Sequence, residues 1–289
     1  MDGVIIKAYG GFYFVRVGDQ VLNCAIRGKI RRQRGQVLVG DRVRIKQIND
    51  TDGVVEDILP RSTELVRPPV ANVEQSVIIF AINNPEPNPS LLDRFLVQSL
   101  ASRITPLICF NKNDLVGDTE PDIVKQYKKT GYAVFWVSAK TGSHIDELRE
   151  VLTDRITVFA GPSGVGKSSL LNALQPGLVL KTGDISTKLK RGKHTTRHVE
   201  LIPLAGGGLV ADTPGFSSMH LPPMLREELA GYFIEFAVYE GQCKFVGCLH
   251  HREPGCAVKD AVDRGRISAL RYRHYLDFLT EVMEAERRY

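Results

Sequence analysis

One eight-residue segment has the composition of a phosphate-binding loop: Gly161-Pro162-Ser163-Gly164-Val165-Gly166-Lys167-Ser168. Glycines let backbone N–H groups turn inward around phosphate oxygens. We expect Lys167 to reach the β- and γ-phosphates, Ser168 to hold Mg²⁺, and Ser169 to complete the nucleotide contact. A glycine-rich turn with a surface lysine is the alternative. An apolar strand before the loop and an apolar helix after it favour the phosphate site.

A second segment follows an apolar strand and could serve the same nucleotide: Asp212-Thr213-Pro214-Gly215. An aspartate at a strand end can hold the Mg²⁺ shell through water. The Gly215 N–H could contact the γ-phosphate. The same tetrapeptide is also a good turn. Its place after a phosphate-binding loop favours the magnesium role for Asp212.

A third segment, Asn111-Lys112-Asn113-Asp114, has the guanine-reading pattern of GTPases. The Asp114 carboxylate would accept from guanine N1–H and the 2-amino group, which adenine lacks. We expect the Lys112 stem to lie along the base and Asn111 to tie neighbouring loops together. The alternative is an Asn/Asp turn. The tripeptide Ser138-Ala139-Lys140 would complete the base pocket, with the Ala139 N–H on guanine O6.

A cysteine cluster near the end of the chain has metal-ligand spacing: Cys243-x4-Cys248-x-His250-x5-Cys256. Three thiolates and one imidazole make a closed tetrahedral set, typical of structural Zn²⁺, although iron also fits such ligands. The adjacent His251 competes with His250. A disulfide with spare thiols is the alternative. Cys24 and Cys109 lie in strand-like runs and are interpreted as core thiols.

The order of these motifs is unusual, because the guanine motifs precede the phosphate-binding loop, whereas an ordinary small GTPase has the reverse. The domain resembles a circular permutation of the GTPase fold, which neighbouring termini allow. The whole chain resembles the ribosome small-subunit-dependent GTPase A family. The resemblance lies in this motif order, in the cysteine cluster, and in the segment Gly192-Lys193-His194-Thr195-Thr196. The resemblance implies a factor acting late in assembly of the bacterial small ribosomal subunit, which stimulates its GTP hydrolysis. It also selects His250 as the fourth zinc ligand.

The resemblance also points to a switch threonine and a group that orients the attacking water. Thr195 and Thr196 are both candidates for the threonine that closes on Mg²⁺, and we favour Thr196. A Ras-like enzyme has a glutamine near this position, and that glutamine orients the attacking water. Here Phe216 follows Gly215, and its apolar side chain cannot orient water. We expect His194 to do so as a neutral imidazole. Contact of His194 with RNA phosphate is the alternative.

Positive charge is concentrated in two segments of this chain, whose net charge is +5. Residues 27–46 carry +7 and residues 181–197 carry +5, which leaves −7 for the rest. A polyanion that contacts two specific segments explains this distribution. The predicted RNA-binding residues are Arg27, Lys29, Arg31, Arg32 and Arg34.

The predicted elements give a multidomain α/β protein. Residues 1–66 contain short apolar runs at 4–6, 12–17, 21–26, 37–39 and 43–48, typical of a small β-barrel that is either oligonucleotide-binding (OB-like) or SH3-like. Residues 67–217 alternate strands with helices, as in a mainly parallel sheet; one helix is predicted over 90–102 with Ser90 as its N-cap. Residues 218–289 are predicted to form a helical zinc-binding region. Its last helix is expected to place Arg271, Arg273, Arg287 and Arg288 on a solvated face, with contact to RNA as the alternative.

Further expectations concern partners and compartment. The chain has no apolar run long enough to cross a membrane and no secretory signal at its start. We therefore expect a cytoplasmic protein without a membrane partner, monomeric, that binds GTP or GDP and the small ribosomal subunit. Two other interpretations stay open: a nucleotide-gated RNA-binding checkpoint module with incidental turnover, and a translation or stress GTPase unrelated to assembly.

Overall fold

The structure, a computed structural model, describes residues 1–28, 30, 36–66, 68–117, 119–175, 199–211 and 220–287. Five strands of its N-terminal part close into a barrel in the order β1-β2-β3-β5-β4. Their bounds are Asp2–Tyr9 (β1), Phe12–Val17 (β2), Gln20–Ile26 (β3), Arg42–Gln47 (β4) and Asp52–Ile58 (β5). The barrel closes where β4 pairs antiparallel with β1, and β3 runs parallel to β5. The predicted five-stranded, OB-like barrel is thereby confirmed.

One strand of the barrel lies later in the chain than the sequence predicts. The prediction of a strand at 37–39 is wrong, because only an isolated bridge joins Val39 to Val70 there. The Leu38 N–H donates to the buried Asp41 carboxylate, 2.8 Å away, instead of to a ladder. The fifth strand is Asp52–Ile58, whose polar residues obscure its alternation in the sequence.

A two-stranded ribbon and a larger sheet follow the barrel. The ribbon consists of Glu64–Val66 (β6) and Pro69–Ala71 (β7). The sheet contains Gln75–Ala81 (β8), Thr105–Asn111 (β9), Ala133–Trp136 (β10), Ile156–Ala160 (β11), Leu201–Pro203 (β12) and Leu209–Ala211 (β13). Across the described residues its order is β10-β9-β8-β11-β13-β12. Only β12 pairs antiparallel there, so the predicted mainly parallel sheet is confirmed.

Helices cover both faces of this sheet and build the C-terminal region. They are Pro89–Ala101 (α1), Asp122–Lys129 (α2), Ile145–Leu152 (α3), Lys167–Leu174 (α4), Ala257–Asp263 (α5) and Ala269–Glu286 (α6). Ser90 is not the N-cap of α1. Asn88 caps it instead, since its side chain accepts from the Leu91 N–H, and Pro89 takes the first helical position.

The barrel is joined to the far edge of the sheet by polar contacts. Lys7 of β1 bridges to Glu200 just before β12, and their side chains form an ion pair of 3.1 Å. Arg42 pairs with Glu74 at 3.2 Å, and the Arg16 guanidinium donates to the Gly207 carbonyl at 3.2 Å. The barrel therefore lies against the start of β12, the turn between β12 and β13, and the residue before β8.

The C-terminal region packs on α1 through its own apolar core. Two 3₁₀ turns, Leu229–Tyr232 and Ile234–Tyr239, precede the cysteine cluster. Phe233, Tyr275 and Phe278 are buried there together with Val97 of α1. The prediction that Arg271 lies on a solvated face of α6 is wrong, because Arg271 is 1% exposed. Aromatic rings and carboxylates of the neighbouring elements surround it.

No helix among the described residues is both long and apolar enough to span a bilayer.

Candidate nucleotide site and metal centre

The predicted nucleotide motifs meet at one edge of the parallel sheet. Strand β9 ends at Asn111, and β11 ends directly before Gly161. Strand β10 ends at Trp136, close before Ser138. Strand β13 ends at Ala211, directly before Asp212. The carboxyl ends of parallel strands lie together, and α/β proteins bind ligands in the crevice outside them. The fold thus brings the described motifs into one crevice despite their permuted order.

The phosphate-binding loop is shaped by glycines that no other residue could replace. Gly161 has φ +135°, and a Cβ on it would lie 2.1 Å from the Ile79 carbonyl oxygen. Gly166 has φ +94°, and a Cβ there would lie 2.4 Å from Asn111 Nδ2. Helix α4 starts at the next residue. The backbone thus reaches the helix N-terminus in a turn that suits phosphate oxygens.

Lys167 is folded back over this loop. Its ammonium donates to the carbonyls of Gly161 at 2.9 Å and Pro162 at 2.7 Å. Burial lowers the pKa of Lys167 below its usual value, because the charged form loses water contacts. A partly desolvated cation held by neutral carbonyls is poised to bind a phosphate oxygen more strongly than it binds them.

Asn111 connects the loops as expected from the sequence. Its amide donates to the Val165 carbonyl of the phosphate-binding loop at 2.9 Å. Its Oδ1 accepts from the Ala139 N–H at 3.0 Å. The Ala139 N–H is therefore already engaged, and a guanine O6 acceptor would have to share it. Asn111 itself is 2% exposed, which fixes the relative position of the three loops.

Asp114 is held in one orientation beside the opening of the crevice. Its Oδ1 accepts from Ser138 Oγ at 2.6 Å, and its Oδ2 lies 3.9 Å from Lys140 Nζ. The Asp114 side chain is 15% exposed and that of Lys140 is 82% exposed. Because Lys140 is beyond hydrogen-bond distance, the Asp114 carboxylate can still accept hydrogen bonds from two neighbouring N–H donors.

Lys112 reaches across the crevice, and Asn113 supports the turn behind it. Lys112 has φ +68°. Its Nζ donates to the Gly164 carbonyl at 2.8 Å and to the Asn84 carbonyl. The Asn113 amide donates to the Trp136 carbonyl and lies within bonding distance of Ser143 Oγ, both at 3.2 Å. The sequence did not single out Asn84, because a backbone carbonyl leaves no signature in residue type.

Part of the predicted site lies outside the described residues. This part includes four residues of the basic segment: Lys29, Arg31, Arg32 and Arg34. It also includes the switch residues His194, Thr195 and Thr196, and the residues Asp212 and Gly215 of the second motif. Arg27 is described and lies exposed directly after β3. Ser168 and Ser169 lie half-buried in the first turn of α4.

The cysteine cluster has the geometry of a tetrahedral metal site. The ligand atoms of Cys243, Cys248, His250 and Cys256 all lie within 4.8 Å of one another. Cys243 Sγ lies 3.9 Å from Cys256 Sγ, and His250 Nδ1 lies 3.3 Å from Cys256 Sγ. Ligands at about 2.3 Å around one ion stand roughly 3.8 Å apart. The cluster could hold a metal ion, through His250 and not His251.

The surroundings of this cluster also fit a cation. Burial raises the pKa of Cys248 to about 12 and raises that of Cys256, while burial lowers the pKa of His250. Three neighbouring thiolates are thus unfavourable unless a cation neutralises them. Tyr272 and Tyr275 donate to the carbonyls of His250 and Leu249 at 2.7 and 2.6 Å, and nothing in the sequence singled out these two hydroxyls.

Comparison with known proteins decides the family. A model of the RsgA GTPase matches residues 58–222, and a model of the RsgA N-terminal domain matches residues 2–55. The chain belongs to the RsgA GTPase family. It is therefore a GTP hydrolase, as its nucleotide motifs predict. The division into residues 1–66, 67–217 and 218–289 stays a prediction.

Full-length relatives agree with this family. The small ribosomal subunit biogenesis GTPase RsgA of Moorella thermoacetica is 50% identical over 287 residues, 99% of each chain. That of Geobacillus kaustophilus is 51% identical and covers 100% of this chain and 99% of its own. Among solved structures, YjeQ from Thermotoga maritima has a TM-score of 0.82 at 35% identity, covering 98% of both chains.

A second solved structure bears on the motif order. YloQ, described as a circularly permuted GTPase, has a TM-score of 0.82 at 40% identity. It covers 98% of this chain and 95% of its own. The predicted circular permutation is thus confirmed.

Replacing Asp114 by asparagine is expected to weaken GDP binding by roughly ten- to a hundredfold, because two charge-assisted hydrogen bonds to guanine are lost. Asparagine would instead offer an N–H to the 2-oxo group of xanthine. Binding of GDP and of xanthosine diphosphate, measured by calorimetry, tests this. Asp146→Asn on α3 is the matched control, since Asp146 is exposed and pairs with Arg149. Equal GDP affinity in both variants would contradict the assignment.

Proposed function

We propose that this GTP hydrolase assists late maturation of the bacterial small (30S) ribosomal subunit, binds its rRNA, and is stimulated by the subunit. The relatives named as small ribosomal subunit biogenesis GTPases support this, because the similarity covers the barrel, the nucleotide domain and the C-terminal region together. The basic residues Arg27 to Arg34 would bind rRNA phosphates in a salt-dependent manner. We further propose that the protein acts as a monomer in the cytoplasm.

The cofactors follow from the donor sets. We propose one structural Zn²⁺ held by Cys243, Cys248, His250 and Cys256, since a closed Cys₃His set leaves no position for a substrate. Ser168 would hold Mg²⁺ together with Thr196 and Asp212. When bound, Mg²⁺ neutralises charge that develops on the β- and γ-phosphate oxygens. Lys167 would bind the same phosphates, and the Ser138–Asp114 pair would orient guanine.

GTP turnover with and without purified small subunits, in matched salt, tests the ribosomal role. We expect low turnover alone and a large increase with small subunits, because Phe216 cannot orient water and a subunit-induced arrangement must complete the site. Large subunits at equal concentration are the control for nonspecific RNA. Bound nucleotide without any stimulation would instead favour the checkpoint module, and the assembly mechanism would be withdrawn.

Replacing His194 by alanine is expected to lower subunit-stimulated turnover by about a hundredfold or more, as for loss of a general base. GDP affinity and subunit binding should stay close to the unaltered protein. His144→Ala is the control, because His144 is an exposed histidine whose partner is Glu147 on α3. Unchanged turnover with weaker RNA binding would show that His194 contacts RNA phosphate instead.

A further inference from the structure

A buried ionic cluster joins the C-terminal region to the nucleotide domain. Arg271 of α6 and Asp93 of α1 are each 1% exposed and form an ion pair. Asp93 Oδ2 lies 2.6 Å from His274 Nδ1, and Arg271 Nη2 donates to Glu235 at 3.0 Å. Burial disfavours the charge on Arg271, but Asp93 and Glu235 raise its pKa. Such a cluster is costly unless every member is paired.

Tyr127 of α2 connects this cluster to the first turn of α1 by hydrogen bonds. Its hydroxyl lies 2.8 Å from Asp93 Oδ1 and 3.2 Å from the Pro89 carbonyl. Pro89 is the first residue of α1. The Arg271 guanidinium carbon also lies 5.5 Å from the centre of the Tyr127 ring, within the range of a cation–π contact. Arg271 therefore fixes both α1 and α2.

The segment before α1 contacts one nucleotide motif and lies near another. The Asn84 carbonyl accepts from Lys112 Nζ. Pro85 lies near the phosphate-binding loop, since a Cβ at Gly164 would lie 3.8 Å from Pro85 Cδ. Lys112 Nζ also donates to the Gly164 carbonyl. A shift of the first turn of α1 would thus move the groups that hold Lys112 beside the phosphate-binding loop.

We propose that Arg271 is a positioning residue for the guanine-nucleotide site, acting through Asp93 and Tyr127 on the start of α1. The inference rests on the nucleotide site proposed above and adds a role for the C-terminal region. Side-chain contacts run from Arg271 through Asp93 and Tyr127 to the Pro89 carbonyl. The backbone before Pro89 then leads to Asn84, which bonds Lys112. Chains of packed and hydrogen-bonded groups of this kind can couple distant sites. Correct docking of α6 then supports tight binding of guanine nucleotides.

The test compares Arg271→Met, Arg271→Lys and Tyr127→Phe in the full-length protein. We expect GDP affinity to fall by about two- to thirtyfold, with Arg271→Lys between Arg271→Met and the unaltered chain. Single-turnover hydrolysis at saturating GTP should stay unchanged, since no altered group touches the phosphates. Fluorescence of Trp136, the sole tryptophan, can follow GDP binding, because its carbonyl bonds Asn113 behind the guanine-reading turn.

Thr280→Val is the control on the same helix. It removes an exposed hydroxyl that bonds the Leu276 carbonyl within α6, so it should leave GDP affinity unchanged. If Arg271→Met does not fold, Tyr127→Phe and Arg271→Lys decide the outcome. GDP affinity within twofold of the unaltered protein in both would overturn the proposal. Failure of the unaltered protein to bind GDP, or indifference to Asp114→Asn, would instead overturn the nucleotide site itself.

Discussion

Replacing Cys256 by alanine is expected to abolish metal binding at the proposed zinc site and to unfold the C-terminal region. Cys256 is 1% exposed and belongs to the same apolar core as Phe233 and Tyr275. Structural zinc contributes roughly 10–16 kcal/mol of apparent binding free energy in small zinc-dependent folds. Removing one of its ligands is expected to lose much of this binding free energy, because the remaining thiols and imidazole no longer enclose the ion. Zinc content per chain and proteolysis of residues 220–287 measure the effect.

Cys24→Ala serves as the control for the loss of a buried sulfur. Cys24 is fully buried in the barrel and takes no part in the cluster. This variant should lose some stability, as for any enlarged core cavity, yet retain one zinc per chain. One zinc per chain in Cys256→Ala would show that the other residues suffice, and the Cys₃His assignment would fail.

Replacing Lys167 by alanine is expected to lower GTP turnover by about a hundred- to a thousandfold, the usual effect of removing a cation aimed at a developing charge. Folding should be little affected. The Lys167 ammonium is partly desolvated and, among the described residues, bonds the carbonyls of Gly161 and Pro162. Its removal therefore takes away a poorly solvated charge. Turnover with small subunits and thermal unfolding together separate catalysis from stability.

Lys129→Ala provides the comparison for this variant. Lys129 lies exposed in the last turn of α2 and should affect neither measurement. Turnover by Lys167→Ala at the level of the Lys129→Ala variant would contradict the phosphate role of Lys167. A marked fall in stability of Lys167→Ala alone would show that its two carbonyl contacts hold the loop together.

Short motifs could be predicted because their chemistry depends on residue type and local spacing. The phosphate-binding loop needs glycines at positions such as Gly161 and Gly166, where the structure leaves no room for a Cβ. Asn111 was expected to join loops, and it bonds both Val165 and the Ala139 N–H. Strands that alternate with helices predicted the mainly parallel sheet, since the apolar pattern of each element is local.

Features that depend on distant parts of the chain could not be predicted. Arg271 lies between the half-buried residues Leu270 and Tyr272 in α6, and nothing local indicates that Asp93 and Glu235 pair with it. Helix α2 was missed because Lys128 and Lys129 leave it few apolar positions. Residues 37–39 have the composition of a strand, but the Asp41 carboxylate takes the Leu38 N–H.

The order of strands in the sheet has a consequence for synthesis on the ribosome. Strands β8, β9 and β10 leave the exit tunnel before the other strands of the sheet and already form one half of it. All seven residues of β8 are buried in the finished protein, yet its second edge stays unpaired until β11 has been translated. An unpaired apolar edge invites association with other chains. Nascent chains halted before residue 156 should therefore depend on chaperones, whereas chains released after β13 should not.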